Sequence, residues 1–386
     1  MRVGSMVRQV LGECTGLMHA SRAAAVQRVT AAAIEAGDLV PAAIGRRIVG
    51  GAKPKHGIKC VDRLLANPHL ASERLLIFRG VAARLLVPWS RPLVLVDWTQ
   101  PMGTHQALVA ALPIGGRSLP IYVEVHPQKK LGNSKVERKF LAALKAVLPT
   151  GCRPIVITDA GFKGPFFQDV LDNGWDFVGR IRGTSKAALV GDTEFTSKAE
   201  LYARATPQPT DLGRCALFCR QRIAARLVIV RKRRKTGPKK APPLCKEERE
   251  LRQSALDPWL LATSLFRHQA ASIVALYAKR MQIEEMFRDA KNPRFGWSIS
   301  HVRTASVSRA ANLLVIASVA LVAVVLVGLA AERRKLHRAY QANTSGRRVL
   351  SFFALGRSII ARRDNAAVLL VHFLAALAAV NRLASA

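Results

Sequence analysis

The feature that most constrains the fold of this 386-residue sequence is a long apolar run without a charged residue, Leu313 to Ala331, with basic residues after it at Arg333, Arg334 and Lys335. A helix of that length is long enough to span a bilayer. A helix at the centre of a large core is also apolar on every face, and a chain of this size easily buries such a core. We expect a central helix packed behind a sheet, with a membrane span as the alternative.

Two other apolar segments each end in an acidic residue. Residues 93–96 (LVLV) precede Asp97, and residues 154–158 (PIVIT) precede Asp159. Strands of parallel type place functional groups at their carboxyl ends. Carboxylates are hard oxygen ligands that suit Mg²⁺ or Mn²⁺. The two aspartates are therefore candidate metal ligands.

A third acidic block lies in the stretch from Tyr277 to Lys291, whose composition, free of Pro and Gly, predicts one helix. Tyr277, Arg280, Glu284 and Lys291 are spaced three, four and seven residues apart, so one continuous helix would carry all four on one face. Glu284 would then bind metal while its neighbours bind phosphates. Glu285 is the rival ligand, about 100° away round the helix. The alternative is a solvated helix face with charge pairs.

These three blocks, in this order, resemble the DDE transposases of bacterial insertion sequences. The spacing Tyr-x2-Arg-x3-Glu-x6-Lys is the signature of the insertion sequence four family, and the chain is most similar to the insertion sequence ten type. Segments 55–70 (KHGIKCVDRLLANPHL), 257–265 (DPWLLATSL) and 340–351 (YQANTSGRRVLS) extend the resemblance over nearly the whole chain.

The resemblance implies an α/β fold: a ribonuclease H-like catalytic core, with a mixed sheet flanked by helices, interrupted by a β-rich insertion and joined to helical N-terminal and C-terminal domains. It also implies cut-and-paste transposition by nicking, hairpin formation and opening, and strand transfer. We expect two Mg²⁺ ions, replaceable by Mn²⁺, with Asp97 shared and Asp159 and Glu284 each on one ion. The alternatives are a standalone nuclease of the same fold and an inactive or domesticated DNA-binding derivative.

The order of predicted elements agrees with that core: three strands, a helix, a strand, a helix and a strand. The predicted bounds are 93–98, 106–112, 118–125, 133–147, 155–158, 162–173 and 175–182, with strand-like segments at 215–222 and 226–230 and later helices at 306–333, 347–360 and 365–383. The predicted domains are 1–80 (helical, DNA-binding), 81–183 (core, first part), 184–265 (β-rich insertion), 266–305 (core, second part) and 306–386 (helical, C-terminal).

The formal net charge of +35, from 60 Lys and Arg against 25 Asp and Glu, favours a polyanionic partner, with nucleic acid ahead of an anionic membrane. We expect DNA, namely transposon ends and target, a homodimer in the paired-end complex, and no membrane. The six cysteines include no C-x2-C pair, which fits a reducing bacterial cytoplasm and a nucleoid-associated protein. The basic, proline-containing stretch 231–243 is predicted to be a mobile loop, either a DNA contact or a solvated tip.

Ten residues are candidate DNA contacts. Lys55, Lys59 and Arg63 belong to a helix-turn-helix-like module that would grip the transposon end, with a solvated helix end as the alternative. Arg180 and Arg182 alternate on a predicted strand and would face the scissile phosphate, or else form a solvated strand end. By resemblance, Trp259 stacks on a flipped base and Met281 fills the vacated space, while the alternative for Trp259 is a core position. The remaining candidates are Tyr277, Arg280 and Lys291.

Overall fold

The computed structural model of the protein describes residues 3–49, 53–182, 186–190, 195–232, 245, 256–362 and 369–384. These fall into two compact units, which we call unit 1 (Met1–Pro154 and Arg280–Ala386) and unit 2 (Ile155–Lys279). The predicted loop 231–243 lies outside the described residues except for Arg231 and Lys232.

The helices are numbered in chain order. Those of unit 1 are α1 (Val3–Leu11), α2 (Ala20–Ala36), α3 (Pro41–Arg47), α4 (Pro54–Ala66), α5 (Pro68–Leu85), α6 (Ser134–Val147), α10 (Met281–Lys291), α11 (Val307–Arg333), α12 (Phe352–Arg362) and α13 (Leu369–Ala384); those of unit 2 are α7 (Gly164–Asp172), α8 (Lys198–Ala203) and α9 (Ala270–Ala278). Side-chain caps fix several starts. Asn133 accepts from the backbone N–H groups of Lys135 and Val136 at the start of α6.

The sheet of unit 1 is an antiparallel meander of β1 (Leu93–Met102), β2 (His105–Ile114) and β3 (Arg117–Pro127). Gly115 and Gly116 join β2 to β3 and have φ of +50° and +93°. Two successive residues with positive φ form the tight hairpin turn whose twist matches the strands, and glycine adopts it without strain. The Gly115–Gly116 dipeptide therefore closes the hairpin of β2 and β3.

Helix α11 is the centre of unit 1. Of the residues in its most apolar 18-residue stretch, 94% are buried. The helix packs against β3, α12, α13, α2 and α5. Within the described residues it is the one helix long and apolar enough to cross a membrane, a test that a core helix also passes. The predicted central helix behind the sheet is confirmed, and Ser306 caps its start by accepting from the backbone N–H of Arg309.

Unit 2 holds a mixed sheet: β4 (Ile155–Thr158), β5 (Asp176–Arg180), β6 (Ala187–Leu189), β7 (Thr210–Leu217), β8 (Ile223–Val230) and β9 (Trp259–Thr263), in the order β4-β5-β9-β8-β7-β6. Strands β4 and β5 are parallel, and the other neighbours are antiparallel. The predicted strand 215–222 is wrong at its end. Phe218 and Arg222 have φ of +63° and +47°, so the segment turns there instead of continuing the strand.

This mixed α/β architecture, with a mixed sheet and flanking helices, is consistent with a ribonuclease H-like core and confirms the predicted fold class. The N-terminal helices and the C-terminal helices belong to the same compact unit as β1–β3. The division into compact units therefore does not separate these helices from β1–β3. The division into five functional domains stays a prediction.

Helices α11 and α12 cross at two glycines, which yields a first prediction. A Cβ at Gly356 would overlap the Val324 carbonyl oxygen, and one at Gly328 would overlap the Phe352 carbonyl oxygen. Gly356→Ala should therefore lower the free energy of unfolding by about 1–3 kcal/mol, as overpacking does. Gly4→Ala is the matched control, because a Cβ there meets nothing within 4 Å. Urea unfolding checks both, and equal stability of the two variants would contradict the crossing.

Candidate active site

Asp97 lies on β1, where it pairs with Val109 of β2. The four residues before it are fully buried, and Asp97 itself is 9% exposed. A carboxylate at such a position needs a positive partner or hydrogen bonds, because burial penalises its charge. Arg280 supplies a positive partner, since its Nη1 lies 3.6 Å from Asp97 Oδ2.

The helix predicted from Tyr277 to Lys291 is wrong as one element. Helix α9 ends at Ala278 and α10 begins at Met281. At the break the backbone makes i→i−3 hydrogen bonds, from Lys279 to Leu276 and from Ile283 to Arg280, instead of continuing the α-helical ladder. Lys279 and Arg280 both keep right-handed helical dihedrals, so composition gives no signal of the interruption. The argument from one continuous face therefore holds only from Arg280 onward.

Arg280 brings two of the predicted acidic residues together. Its Nη2 donates to Glu284 Oε1 at 2.5 Å, while its Nη1 faces Asp97. The Glu284 side chain is 41% exposed, so it is accessible to solvent as well as to the arginine. A guanidinium can serve two carboxylates because its five donors are spread over a planar fork.

Lys291 completes the group at the other end of α10. Its Nζ donates to Thr99 Oγ1 at 2.6 Å, and Thr99 lies two residues after Asp97 on the same strand. Burial lowers the pKa of the Lys291 ammonium, and the Asp97 carboxylate opposes that shift. The structure thus places Asp97, Arg280, Glu284 and Lys291 in one region of unit 1.

Glu285 has a different environment. Its Oε2 lies 3.4 Å from Arg117 Nη1 and 2.9 Å from Arg288 Nη1. Arg117 also binds Asp289, with its Nε 2.5 Å from Oδ2 and its Nη2 3.4 Å from Oδ1. Burial raises the pKa of Asp289 to about 6, against the opposing effect of Arg117. These ion pairs fix the face of α10 that does not carry Glu284.

The β2–β3 turn adds further contacts to these ion pairs, and together they anchor α10 to the sheet of unit 1. The Gly116 backbone N–H donates to Gln282 Oε1, and Ser118 Oγ donates to the Gln282 carbonyl oxygen, both at 3.3 Å. Sequence reasoning missed this network. Glu285 and Asp289 are four apart on α10, but nothing local connects them with an arginine about 170 positions earlier.

Asp159 belongs to unit 2, where it follows β4 directly. Its Oδ1 accepts from the Gly161 backbone N–H at 2.8 Å, which fixes the tight turn after the strand. No group of three or more His, Cys, Asp or Glu side chains able to hold a metal occurs among the described residues. Asp97 and Glu284 still fit a divalent cation by donor chemistry, since both offer hard carboxylate oxygens. The three-ligand set stays a prediction.

Trp259 is half-buried at the start of β9, opposite Val230 of β8. Its ring meets the Tyr277 ring edge to face, with centroids 4.7 Å apart, and Lys232 Nζ lies 3.4 Å from its ring centroid. Tyr277 is 3% exposed. The two aromatic residues that the sequence separates by 18 positions therefore form one pair in unit 2, while the role of each toward DNA stays a prediction.

Arg180 is the last residue of β5, so the strand predicted to reach Arg182 ends two residues early. The prediction that Arg180 and Arg182 share one face of a strand is therefore wrong for Arg182. Arg180 Nη2 donates to the carbonyl oxygens of Asp257 and Pro258, at 3.1 and 3.4 Å. Burial lowers the pKa of Arg180, and nearby Arg182 lowers it further. Arg180 and Arg182 are thus close to each other, and Arg180 is bonded to the two residues that precede β9.

The predicted DNA-binding cations of the N-terminal segment lie on the surface of unit 1. Lys55, Lys59 and Arg63 are exposed on α4. Helices α3 and α4 approach so closely that a Cβ at Gly57 would overlap the Gly45 carbonyl oxygen. Met281, at the first position of α10, is 43% exposed, and its sulfur accepts from Arg280 Nη2 at 3.4 Å.

The anchor of α10 yields a second prediction. Arg117→Ala should lower the free energy of unfolding by on the order of 3 kcal/mol, because it leaves the Asp289 carboxylate buried without its cation. The loss should be smaller at about pH 5 than at about pH 8, since a protonated Asp289 needs no cation. The double variant Arg117→Ala/Asp289→Asn should recover part of it. Urea unfolding at both pH values provides the measurement, and an additive double variant would exclude the coupling.

One family of known proteins matches this chain. The family described as "Transposase DDE domain" matches residues 93–322, which is more than half of the chain and includes β1, α10 and most of α11. A search of curated proteins found no match. Members of this family act on DNA and typically depend on divalent metal ions. The chain belongs to the family of DDE-domain transposases.

Proposed function

We propose that this chain is a cut-and-paste transposase of the insertion sequence four family, similar to the insertion sequence ten type. The observation that carries the proposal is the arrangement in unit 1, where Asp97 on β1 and Glu284 on α10 share Arg280. Lys291 lies beside Thr99 on the same strand. Two carboxylates with two cations suit a site that binds both divalent metal and the phosphates of DNA.

In this proposal Asp97, Asp159 and Glu284 would hold two Mg²⁺ ions, which Mn²⁺ could replace, and Asp97 would be the shared ligand. Bound divalent ions would stabilise the attacking and leaving oxygens of phosphodiester cleavage. Arg280 keeps the two carboxylates of unit 1 near each other despite their like charge. Lys291 and Arg280 then bind phosphates next to the scissile bond, and Tyr277 donates a hydrogen bond to one.

The reaction sequence proposed from the resemblance is nicking at the transposon end, hairpin formation, hairpin opening and strand transfer of the 3′-hydroxyl into target DNA. Two ends must be joined, so the active species is a homodimer in the paired-end complex. The protein acts in the bacterial cytoplasm, in association with the nucleoid. Arg180 and Arg182 would contact the scissile phosphate from unit 2.

The assignment of the acidic residues gives a third prediction. Asp97→Asn, Asp159→Asn and Glu284→Gln should each reduce cleavage of end DNA by several orders of magnitude while leaving end binding intact, because metal-binding charge is lost without a change of size. Glu285→Gln is the matched control, and it should retain cleavage because Glu285 pairs with Arg117 and Arg288. Loss of cleavage in the Glu285 variant with activity in the Glu284 variant would reverse the assignment.

The exposed cations of α4 support a module that grips the transposon end, and a fourth prediction follows. Replacing Lys55, Lys59 and Arg63 by Ala should reduce the magnitude of the slope of log affinity against log salt concentration by about 2–3. Each lost phosphate contact lowers that magnitude by roughly 0.9. The preference for end DNA over random DNA should fall as well. Band shifts at several salt concentrations measure both quantities, and an unchanged slope would exclude these residues from the interface.

Trp259 gives a fifth prediction. Its edge contact with Tyr277 and the cation over its ring support a rigid aromatic platform for a base flipped out of a bent duplex. Met281 is proposed to fill the vacated space. Trp259→Ala should leave the first nick nearly normal but slow hairpin formation about tenfold, because stacking contributes about 1–3 kcal/mol. An abasic nucleotide at the flipped position should restore part of the rate in single-turnover assays. Equal slowing of nicking and hairpin formation would identify a purely structural tryptophan.

A further inference from the structure

Trp89 differs from the other tryptophans of the chain. Trp175 and Trp297 are buried, Trp98 donates from Nε1 to Glu137 Oε1, and Trp259 packs against Tyr277. Trp89 is 75% exposed, in a turn between the end of α5 and the start of β1. A large indole left in solvent contributes little to the core, so its position calls for another explanation.

The backbone at Trp89 is strained. Its φ is +61°, in the left-handed region that favours glycine and is costly for bulky side chains. Glycine or asparagine would adopt this turn more easily. A large aromatic residue held in such a conformation points to a role of the ring rather than of the backbone.

The surrounding backbone holds the turn rigidly. The Trp89 N–H donates to the Thr150 carbonyl oxygen at 2.9 Å, and the Arg153 N–H donates to the Ser90 carbonyl oxygen at 3.0 Å. Ser90 Oγ also donates to the Val87 carbonyl oxygen at 2.7 Å. These bonds join the turn to the segment that precedes β4.

Gly151 supports the ring from one side. A Cβ on Gly151 would overlap the six-membered ring of Trp89, so the ring lies directly on the glycine backbone. Its remaining surface is open to solvent. A ring fixed in this way loses little conformational entropy when another flat group stacks on it.

The two chain segments that carry the ring and its supporting glycine have charge of one sign. Residues 84–94 and 145–154 contain four exposed cations and no Asp or Glu: Arg84, Arg91, Lys145 and Arg153. A second copy of a chain with net charge +35 would bring like charges together at this face. A partner with flat rings and negative charge suits it better, and nucleic acid has both.

From these observations we propose that Trp89 is a stacking platform for a terminal or unpaired base of DNA bound to unit 1, with the exposed cations of residues 84–94 and 145–154 on the adjacent phosphates. The inference rests on the proposed function only in taking DNA as the ligand. Base pairs inside an intact duplex are stacked on each other, so the ring would select ends, nicks or single-stranded overhangs.

The test uses the full-length protein and a fluorescent DNA duplex with a short single-stranded overhang, called the overhang probe. Trp89→Asn should bind the overhang probe about tenfold more weakly, since loss of one stacked base costs about one decade, while its salt slope stays unchanged. Trp89→Phe should keep most of the affinity. Leu17→Asn, at another side chain that is 75% exposed, is the matched control and should bind like the wild type.

Thermal unfolding separates this role from a structural one. Asparagine relieves the left-handed strain, so Trp89→Asn should unfold at the same temperature as the wild type or at a higher one. A lower unfolding temperature would show that the ring stabilises the turn, and unchanged overhang binding would exclude the platform; either result overturns the inference. An altered oligomeric state with unchanged DNA binding would assign the surface to a protein partner instead. A wild-type protein that binds no DNA would refute the proposed function as well, which distinguishes the two failures.

Discussion

The candidate site depends on one cation between two carboxylates. Asp97 and Glu284 carry like charges and repel each other. Asp97 is also mostly buried, and an unpaired charge in a buried position is costly. Arg280 contacts Glu284 and faces Asp97, so the two acidic groups stay near each other within unit 1. A divalent cation would meet the same electrostatic need, and for that reason the arrangement suits a metal-dependent nuclease. Arg280 must then share or release its carboxylates when metal and phosphate bind.

Two supports keep this arrangement in place. Helix α11 packs on β3, and β3 holds β1 with Asp97 through its pairing with β2. Arg117 and the Gly115–Gly116 turn hold α10 through Glu285, Asp289 and Gln282. Because these contacts use the opposite face of α10, Glu284 remains available to solvent. The packing of unit 1 and the chemistry of the site thus use different sides of the same helix.

Much of the fold could be predicted from local patterns. The turn at Gly115–Gly116, the cap at Asn133, the strand before Asp159 and the buried helix after Ser306 each have signals within a few residues. The break at Lys279 and Arg280 has none, because both residues favour helix and keep helical dihedrals. The pairing of Arg117 with Asp289, like the strained Trp89 turn on Gly151, depends on contacts between distant segments, which a single sequence does not reveal.

Four of the candidate site residues lie in one region of unit 1, namely Asp97, Arg280, Glu284 and Lys291, and their catalytic role stays a prediction. The spacing from Arg280 to Lys291 works as expected on α10, whereas Tyr277 lies beyond the break and packs with Trp259. No sequence pattern predicts the hydrogen bond from Lys291 to Thr99, because it joins α10 to β1, which lie far apart along the chain.

The measurement that tests the central claim most directly is anomalous X-ray scattering from crystals of the protein bound to end DNA with Mn²⁺. The account predicts an anomalous peak coordinated by carboxylate oxygens of both Asp97 and Glu284, with Arg280 turned from Glu284 toward a phosphate. Mn²⁺ bound away from these two residues, with the pair of Arg280 and Glu284 intact, would contradict it.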